Sequence, residues 1–541
     1  MKLTHSAFRG EVPLLDGRLL PENNGQVSRN TFLRRGRLSA EKGLGQVSGL
    51  PPVSQPSTLY RYPNGNGGDG FWFVWGNGKD VDIERSPLAD DSWNRVYWTG
   101  DGAPKMGGID LVTSGQEPYP STSYRMGVPA PTGTPIATPQ SGRPSVGDYP
   151  ATALETAYVV TLITNYGEES PPSPASNTEL RWDQVDGAPT GGGIVLALPG
   201  LPSGAQNIVT KRIYRVESGG SFQFVDDVSA STSTYTDTIA SDQLGLVIPS
   251  AEWDRPDDRM RGLTALPGGI FAGFFENTLC FSEAYLPHAW PVGYQLGLSS
   301  DIVALSSTAA GLVVGTNGKP ILVTGSSPAA MAPMELDVDQ PCLSKRSMVD
   351  MGDYAIYAGN DGLVAVGGSD ARVITLDSMT RDQWRALGPE TIHAYRYEER
   401  YVAFYDGGCF VFTPGQGFEF FDIEADAGYY DIAGDTLYVT QGNDVKAWGK
   451  GSPMTYTWRS RIHEVPPGDG SFSCAKVIAY DYPVALRLYA DGELAADIQV
   501  DDANLFRLPP GYTLSRDWEV ELEGSVDVAS VQVATTPSEI V

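Results

Sequence analysis

Short runs of apolar residues, separated by Gly, Asn and Asp turns, recur between positions 262 and 450 of the chain. The runs begin at Ile270, Leu312, Tyr354, Tyr401 and Leu437, in steps of about 42, 42, 47 and 36 residues. A period of this length with several short strands in each unit is typical of β-propeller blades. The pattern therefore predicts an all-β chain built around a propeller, which by itself leaves the function open.

Residues 56–127 contain further strands of the same kind. Phe71–Trp75 is followed by Gly-Asn-Gly, a strong turn signal, and Val96–Thr99 runs into Gly-Asp-Gly. We expect these strands to form a first blade. Together with residues 251–450, they bring the expected number of blades to about six.

Residues 128–250 separate this first blade from the others. The strand Tyr158–Thr164 is followed by the turn sequence NYGEESPPS, and the strands Lys211–Arg215 and Ser233–Asp237 come later. This order resembles a fibronectin type III module. The resemblance implies a seven-stranded β-sandwich of about 100 residues inserted into the propeller.

A second sandwich is predicted for residues 451–541. Apolar and polar residues alternate around positions 484–489 and 519–523, as expected for strands with one packed and one wet face. The acidic members of the second stretch are Glu519, Glu521 and Glu523. We expect this stripe to face solvent or a lumen.

The N-terminal residues 1–55 contain few periodic segments and many turn residues. Such a segment buries too little apolar surface to fold alone. It is expected to be an extended arm laid over another surface, or a disordered tail.

Charge is distributed unevenly along the 541 residues. The whole chain has 38 Lys and Arg against 66 Asp and Glu, a net charge of −28, whereas residues 1–50 have eight basic and four acidic residues. A surface this acidic repels nucleic acid. The basic arm could pair with an acidic neighbour such as another copy of the chain, with Arg34, Arg35 and Arg37 as candidate inter-subunit contacts; otherwise these are ordinary solvated arginines.

The cysteines give no metal motif. Cys280, Cys342, Cys409 and Cys474 lie more than sixty residues apart, so they are expected to be buried free thiols of a protein made in a reducing compartment.

The N-terminus has no apolar signal core, and no apolar run approaches membrane-spanning length. We therefore expect synthesis and folding in a cytoplasm.

A search for catalytic chemistry finds no convergent groups. The four histidines show no metal spacing, and the chain has no GxSxG elbow, P-loop or sialidase Asp-box. Residues 64–70 resemble a calcium loop but lack the closing glutamate, so a flexible hairpin is the alternative. The cluster of Arg381, Asp382 and Trp384 could stack on a sugar or belong to the core. No catalytic residue, metal or cofactor is predicted.

Several phrases resemble the tail tubular or nozzle proteins of short-tailed bacteriophages. They are AFRGEVPLLDGRLLPENNGQVSRN (7–30), YRMGVPAPT (124–132), FSEAYLPHAWP (281–291), CLSKRSMVDMGDYAIYAGNDGLV (342–364), TRDQW (380–384) and LYADGEL (488–494).

This resemblance implies a structural virion protein, made in the bacterial cytoplasm, that forms a closed homo-oligomeric ring, a hexamer, below the portal and its adaptor ring. The implied partners are these rings and other tail proteins or fibres. Double-stranded DNA would pass transiently through the lumen of the ring, where acidic side chains would let phosphate slide.

Two other functions stay open on the sequence. A receptor- or glycan-binding virion adhesin would use the fibronectin-like module and exposed aromatic residues. A propeller-type glycoside hydrolase would need a pair of carboxylates, and the abundance of Asp and Glu hides any such pair.

Overall fold

The structure is a computed structural model that describes residues 1–33, 36–51, 53–64, 70–414, 416–466 and 471–540. Within these ranges, six small sheets and the first four strands of a larger sheet pack face to face around one axis, and we number them blades I–VII in chain order. Their strands are mostly antiparallel neighbours in sequence, joined by tight turns.

The bounds of these strands follow the chain. Blade I comprises Pro56–Tyr62 and Phe71–Gly76. Blade II comprises Asp82–Arg85, Val96–Thr99, Lys105–Gly107 and Tyr124–Arg125. Blade III comprises Arg261–Leu266, Ile270–Phe275, Thr278–Phe281 and Gln295–Gly297. Blade IV comprises Ile302–Thr308, Gly311–Thr316, Ile321–Thr324 and Ala332–Glu335.

The remaining blades complete the circle. Blade V comprises Val349–Asp350, Ala355–Ala358, Leu363–Gly367 and Asp370–Val373. Blade VI comprises His393–Tyr397, Arg400–Tyr405, Gly408–Thr413 and Gly417–Phe421. Blade VII comprises Ala427–Asp431, Thr436–Gln441, Asp444–Ala447 and, from the N-terminal arm, Gly45–Gly49.

Apolar side chains fill the space between each pair of neighbouring blades. Blades VII and I meet through Val445, Leu59 and Val74, so the ring is closed. The predicted propeller is therefore confirmed, with seven blades in the described residues where the sequence suggested about six. The difference arises because residues 56–127 contribute two blades, and blade I is only a two-stranded hairpin.

The apolar runs that predicted the propeller are the second strands of blades III–VII. In blade III, for example, Phe271 and Phe274 of the strand Ile270–Phe275 are fully buried on opposite sides. A second strand is apolar on both faces because each blade is covered by a neighbour on either side. The innermost strands line the axis and carry polar residues, which hides them from a search for apolar runs.

The insertion is a seven-stranded sandwich, as the resemblance implied. One sheet has the order Ile136–Pro139, Ile194–Ala197, Thr234–Asp237. The other has the order Glu179–Arg181, Leu154–Thr164, Ile208–Glu217, Gln223–Ser229. Its core includes the buried residues Tyr158, Val160, Leu196 and Ile213.

The SPPSPAS segment covers an edge of this sandwich in spite of its prolines. Ser170, Ser173 and Ser176 recur every three residues, the period of a polyproline helix, so all three face one strand. Each donates its N–H to a strand carbonyl, and each hydroxyl accepts an N–H from the same strand, at 2.8–3.0 Å. Each serine thus supplies both a donor and an acceptor to one strand residue, which the prolines between them, lacking an N–H, cannot do.

The C-terminal sandwich packs two sheets, and the N-terminal arm takes part in it. One sheet has the order Lys2–His5, Val528–Ala534, Cys474–Ala479, Phe506–Arg507. The other contains Tyr456–Arg459, Asp517–Gly524, Val484–Ala490 and Glu493–Val500, with His463–Glu464 at its side.

The rest of the arm bridges this sandwich to the propeller. Val27–Arg29 pairs with the strand Tyr456–Arg459 on one side and with the outer strand of blade VI on the other. Further short arm strands are Arg9–Glu11, Asn24–Gly25, Thr31–Phe32 and Ser39–Ala40. The arm is therefore laid over its own chain, the first of the two expected alternatives.

Helical segments are few and short. Among the described residues, the α-helices are Ile109–Val112 and Arg381–Ala386. The latter has a capping box at Thr380, and Trp384 lies fully buried between blades V and VI. The 3-10 turns are Val146–Asp148, Ser241–Gln243, Val292–Tyr294, Pro328–Ala330, Lys345–Ser347, Pro389–Thr391 and Pro537–Glu539. None of the helices formed by the described residues is long and apolar enough to cross a membrane.

Candidate functional site

A cavity of about 180 Å³ lies at the axis of the propeller, where the innermost strands converge. Its walls come from blades II, III, IV and VI and from the turn before blade V, and include Asp80, Asp82, Lys345, Arg346 and Tyr395. Axial cavities are the natural place for a ligand in this architecture because every blade can contribute a side chain.

Three ion pairs among four side chains occupy one wall of this axial cavity. The Lys345 ammonium lies 2.5 Å from Asp82 and 3.1 Å from Asp80. The Arg346 guanidinium lies 2.5 Å from Asp80 and donates to the Thr58 hydroxyl at 2.7 Å. The cluster joins blades I and II to the turn that precedes blade V, so its contacts link opposite sides of the axis.

The local sequence explains this geometry. Asp80, Asp82 and Glu84 alternate along the innermost strand of blade II and its approach, so their side chains point to the same side. The backbone N–H of Gly262 donates to Asp82, and that of Ala265 donates to Glu84, both at 3.0 Å. These carboxylates therefore also fasten blade II to blade III.

Confinement shifts the proton affinities of the three acids differently. Burial tends to raise the pKa of Asp80, but attraction to Lys345 and Arg346 outweighs it and holds that pKa below its ordinary value. Burial raises the pKa of Asp82 and raises that of Glu84 to about 7. Within the cluster, the two carboxyl groups of Asp80 and Asp82 thus face the two cations of Lys345 and Arg346.

A larger, acidic cleft of about 550 Å³ opens between blades VI and VII. It is lined by Asp406, Glu424 and Asp426 together with His393. His393 contacts the Ala425 carbonyl at 2.9 Å, and burial lowers its pKa to about 4. The imidazole is therefore neutral at pH 7 and leaves the negative charge of the cleft uncompensated.

A buried ion pair docks the inserted sandwich on blade II. Arg95 of blade II contacts Glu168 of the NYGEES turn at 3.1 Å, and both side chains are almost fully buried. The neighbouring Tyr166 ring packs against Trp93 with centroids 5.1 Å apart. Burial raises the pKa of Glu168 in spite of Arg95. The turn sequence that signalled the sandwich is therefore also its attachment point.

The arginines predicted to make inter-subunit contacts are placed only in part. Arg37 lies 2.8 Å from Asp527 and stacks over the Tyr480 ring, 4.9 Å from its centroid. Both of these residues belong to the C-terminal sandwich of the same chain. Arg34 and Arg35 lie outside the described residues. An inter-subunit role for the three arginines stays a prediction.

The acidic stripe of the C-terminal sandwich differs from its expected position. Glu519 and Glu521 are buried rather than wet, because neighbouring strands supply Arg459 and Arg487 as partners. Arg487 also contacts Glu523 at 2.7 Å. The stripe therefore belongs to a cross-strand ion-pair network, in which two of its three carboxylates are enclosed instead of facing solvent.

The histidines are far apart in sequence, but the fold brings two of them together. The Nε2 atoms of His5 and His463 are 3.2 Å apart beside the Trp458 ring. Burial lowers the pKa of His5 to about 3 and that of His463 to about 4. Sequence reasoning missed this pair because 458 residues separate its members.

Other chemical expectations are settled residue by residue. Trp384 is a core residue that donates to the Gly359 carbonyl at 2.8 Å, so it is not free to stack on a sugar. The four cysteines are buried and free. The calcium-like loop falls largely outside the described residues, and those that are described hold no group of three or more His, Cys, Asp or Glu arranged for a metal ion.

No protein-family profile matches the sequence, and no curated protein matches it. Among solved structures, BamB from Moraxella catarrhalis is similar at 12% identity and a TM-score of 0.29, over 75% of this chain and 99% of that one. The Neurospora crassa Pan2 WD40 domain is similar at 7% identity and a TM-score of 0.26, over 59% and 95%. At these scores the likeness carries no argument, and the propeller assignment rests on the strand pairing itself.

Proposed function

We propose that this protein is a structural component of the tail of a short-tailed bacteriophage, where several copies form a ring that conducts DNA. The proposal starts from the sequence resemblance. The structural observation that carries it is the N-terminal arm, which pairs with the C-terminal sandwich, blade VI and blade VII in turn. An arm that ties three parts into one block suits a component that bears load in an assembly.

The axis of a single propeller is not the conduit in this proposal. The axial cavity measures only about 180 Å³ and is crossed by the Lys345 and Arg346 ion pairs, so it offers no open passage to a DNA duplex. DNA would have to pass between copies, through the centre of a ring. Cyclic symmetry is the usual way for identical chains to enclose such a channel.

The charge of the chain supports a conduit more than a DNA-binding surface. A net charge of −28 gives a phosphate backbone few cations to pair with, so a duplex could slide without being held. Glu519, Glu521 and Glu523 are engaged in ion pairs with Arg459 and Arg487, so other acidic residues of the surface would line the channel.

Sedimentation velocity of the purified full-length chain, followed by particle imaging, tests this proposal. We expect a discrete closed ring of several hundred kilodaltons, alone or on addition of an isolated portal–adaptor complex, and no retention of linear duplex DNA in a gel-shift assay at low salt. A chain that stays monomeric in both settings would contradict the proposal. Micromolar binding to a glycan array by such a monomer would favour an adhesin instead.

A further inference from the structure

One exposed face of the inserted sandwich carries no charge, although the chain as a whole is strongly acidic. Residues 131–142, 187–210 and 228–241 contain a single charged side chain, Asp237. Asp237 points inward, where Arg215 contacts it at 2.6 Å and neither side chain is exposed. These three stretches supply the three strands of one sheet.

The strand register sets the composition of this face. Two rows of paired residues cross the sheet on this face. The first row is Ile136, Ala197 and Thr234, and the second is Thr138, Val195 and Thr236. We call these six residues the uncharged face. All of them are exposed except Val195, which is half-buried, and Ile136 is 57% exposed.

The two outer surfaces of the sandwich differ in what covers them. Over the four-stranded sheet, the chain returning to the propeller packs Ile248 against Val159 and Tyr214. No such segment among the described residues packs over the uncharged face. The sandwich has thus covered one of its outer surfaces and left the other open.

The open face is also held in a fixed direction. The buried contact of Arg95 with Glu168, and the packing of Tyr166 against Trp93, attach the sandwich rigidly to blade II. A surface that is already oriented loses little freedom when it binds. Five of its six residues are β-branched, so their side chains also have little rotamer entropy to lose.

We propose that the uncharged face packs against a second copy of this chain. This proposal rests on the ring-forming function above and names one of its contact surfaces. Two copies that each carry a net charge of −28 repel each other, and a like-charge contact is most costly where charges are desolvated. The uncharged face is a place where copies approach without burying carboxylates.

The two edges of the sheet also favour contact with a second copy. The Asn177 side chain covers the outer edge of Ile136–Pro139 by exchanging two hydrogen bonds of 2.9 Å with Ala137. On the opposite edge strand, Thr234–Asp237, the described residues place no further strand. A free edge next to an uncharged face offers a second copy both backbone and side-chain contacts.

The face is small compared with a stable interface, which buries about 800 Å² on each partner. Three strands of four residues supply only part of that area. The contact is therefore expected to add to others in a ring rather than to hold an isolated pair.

The test places charges on the uncharged face. The double variant Thr234→Asp/Thr236→Asp adds two carboxylates there, and Thr152→Asp/Thr513→Asp adds two at exposed positions elsewhere. In sedimentation velocity, we expect the first variant to need at least about tenfold more protein for half-assembly than the control, because like charges face each other across the contact. Unaltered thermal unfolding would show that both variants fold.

Hydrogen–deuterium exchange of the unmodified chain gives a second readout that needs no variant. Amides of the strand Thr234–Asp237 should exchange more slowly in the assembly than in the dilute monomer. If the two variants assemble at the same concentration, or if these amides exchange equally fast in the assembly and the monomer, the uncharged face is not a contact between copies. Ring formation itself would then still stand. A wild-type chain that never assembles overturns both this inference and the proposed function.

Discussion

The guanidinium of Arg95 and the carboxylate of Glu168 meet at 3.1 Å with less than a tenth of either side chain exposed. Arg95 belongs to blade II and Glu168 to the inserted sandwich, so one ion pair joins two units that the sequence separates by 73 residues. Removing one member of a buried pair leaves a charge without its partner, which is costly.

We expect Arg95→Met to lower the free energy of unfolding by about 3 kcal/mol. The variant leaves Glu168 and Asp91, the other partner of Arg95, without their cation. Urea denaturation measures the change, and Arg259→Met, at a well-exposed arginine with its own acidic partners, serves as the control with little expected effect. Equal stability of the two variants would show that the pair does not hold the sandwich in place.

The serine ladder of the insertion gives a second prediction. Ser173→Ala removes the hydroxyl that accepts the Val160 N–H at 3.0 Å in a buried position. A loss of about 1–3 kcal/mol is expected because that N–H then has no acceptor. Ser203→Ala, at an exposed loop position, should change stability by less than about 0.5 kcal/mol in the same denaturation assay. A similar result for both would mean that water replaces the hydroxyl at no cost.

The histidine pair makes the fold sensitive to acid. His5 and His463 have pKa values lowered to about 3 and about 4, below the ordinary value of 6.5. The unfolded chain binds protons at these sites first, so stability is fully present above pH 6.5 and falls as the pH drops towards 3–4.

Replacement of both rings, as His5→Phe/His463→Phe, should flatten this pH dependence. The measurement is the slope of unfolding free energy against pH from 6.5 to 4, which should decrease by up to about two proton equivalents. His393→Phe, a separate site, should reduce the slope by about one at most. An unchanged slope in the double variant would exclude the pair as a source of acid sensitivity.

Glu84, at the axis, affects the pH dependence of stability in the opposite direction. Burial raises its pKa to about 7 from 4.5, so its stabilising contribution is complete below pH 4.5 and is lost as the pH rises through 7. Glu84→Gln should therefore raise stability at pH 8 by about 1–3 kcal/mol and change it little at pH 4.5. Thermal unfolding at the two pH values decides this, and a variant destabilised at both would show that the charged carboxylate is needed.

The arm supplies the fifth prediction. Deleting residues 1–42 removes the edge strand Lys2–His5 and the bridge Val27–Arg29, but it keeps Gly45–Gly49 in blade VII. We expect limited proteolysis to cleave the C-terminal sandwich while the propeller stays protected, since that sandwich loses an edge strand and the Phe8 ring packed on Trp458. Uniform protection of both parts would mean that the arm is dispensable for folding.

Sequence pattern predicted the repeating architecture because each second blade strand is buried on both faces. A run such as Ile270–Phe275 must then be apolar throughout, and its spacing reveals the blades. The sandwich insertion was also predictable, since its strands and turns are local features. The number of blades was not, because blade I is a hairpin whose neighbours are chosen by packing.

Local sequence by itself determined the apolar second strands of the blades, the turns that separate them and the acidic balance of the chain. Tertiary structure alone decided which distant groups meet: Lys345 with Asp82 at the axis, His5 with His463, and Glu521 with Arg459 and Arg487. Hydrophobic periodicity reports which face of a strand is buried, but not what lies against it. Charges and histidines take their roles from those partners, which only the folded chain brings within reach.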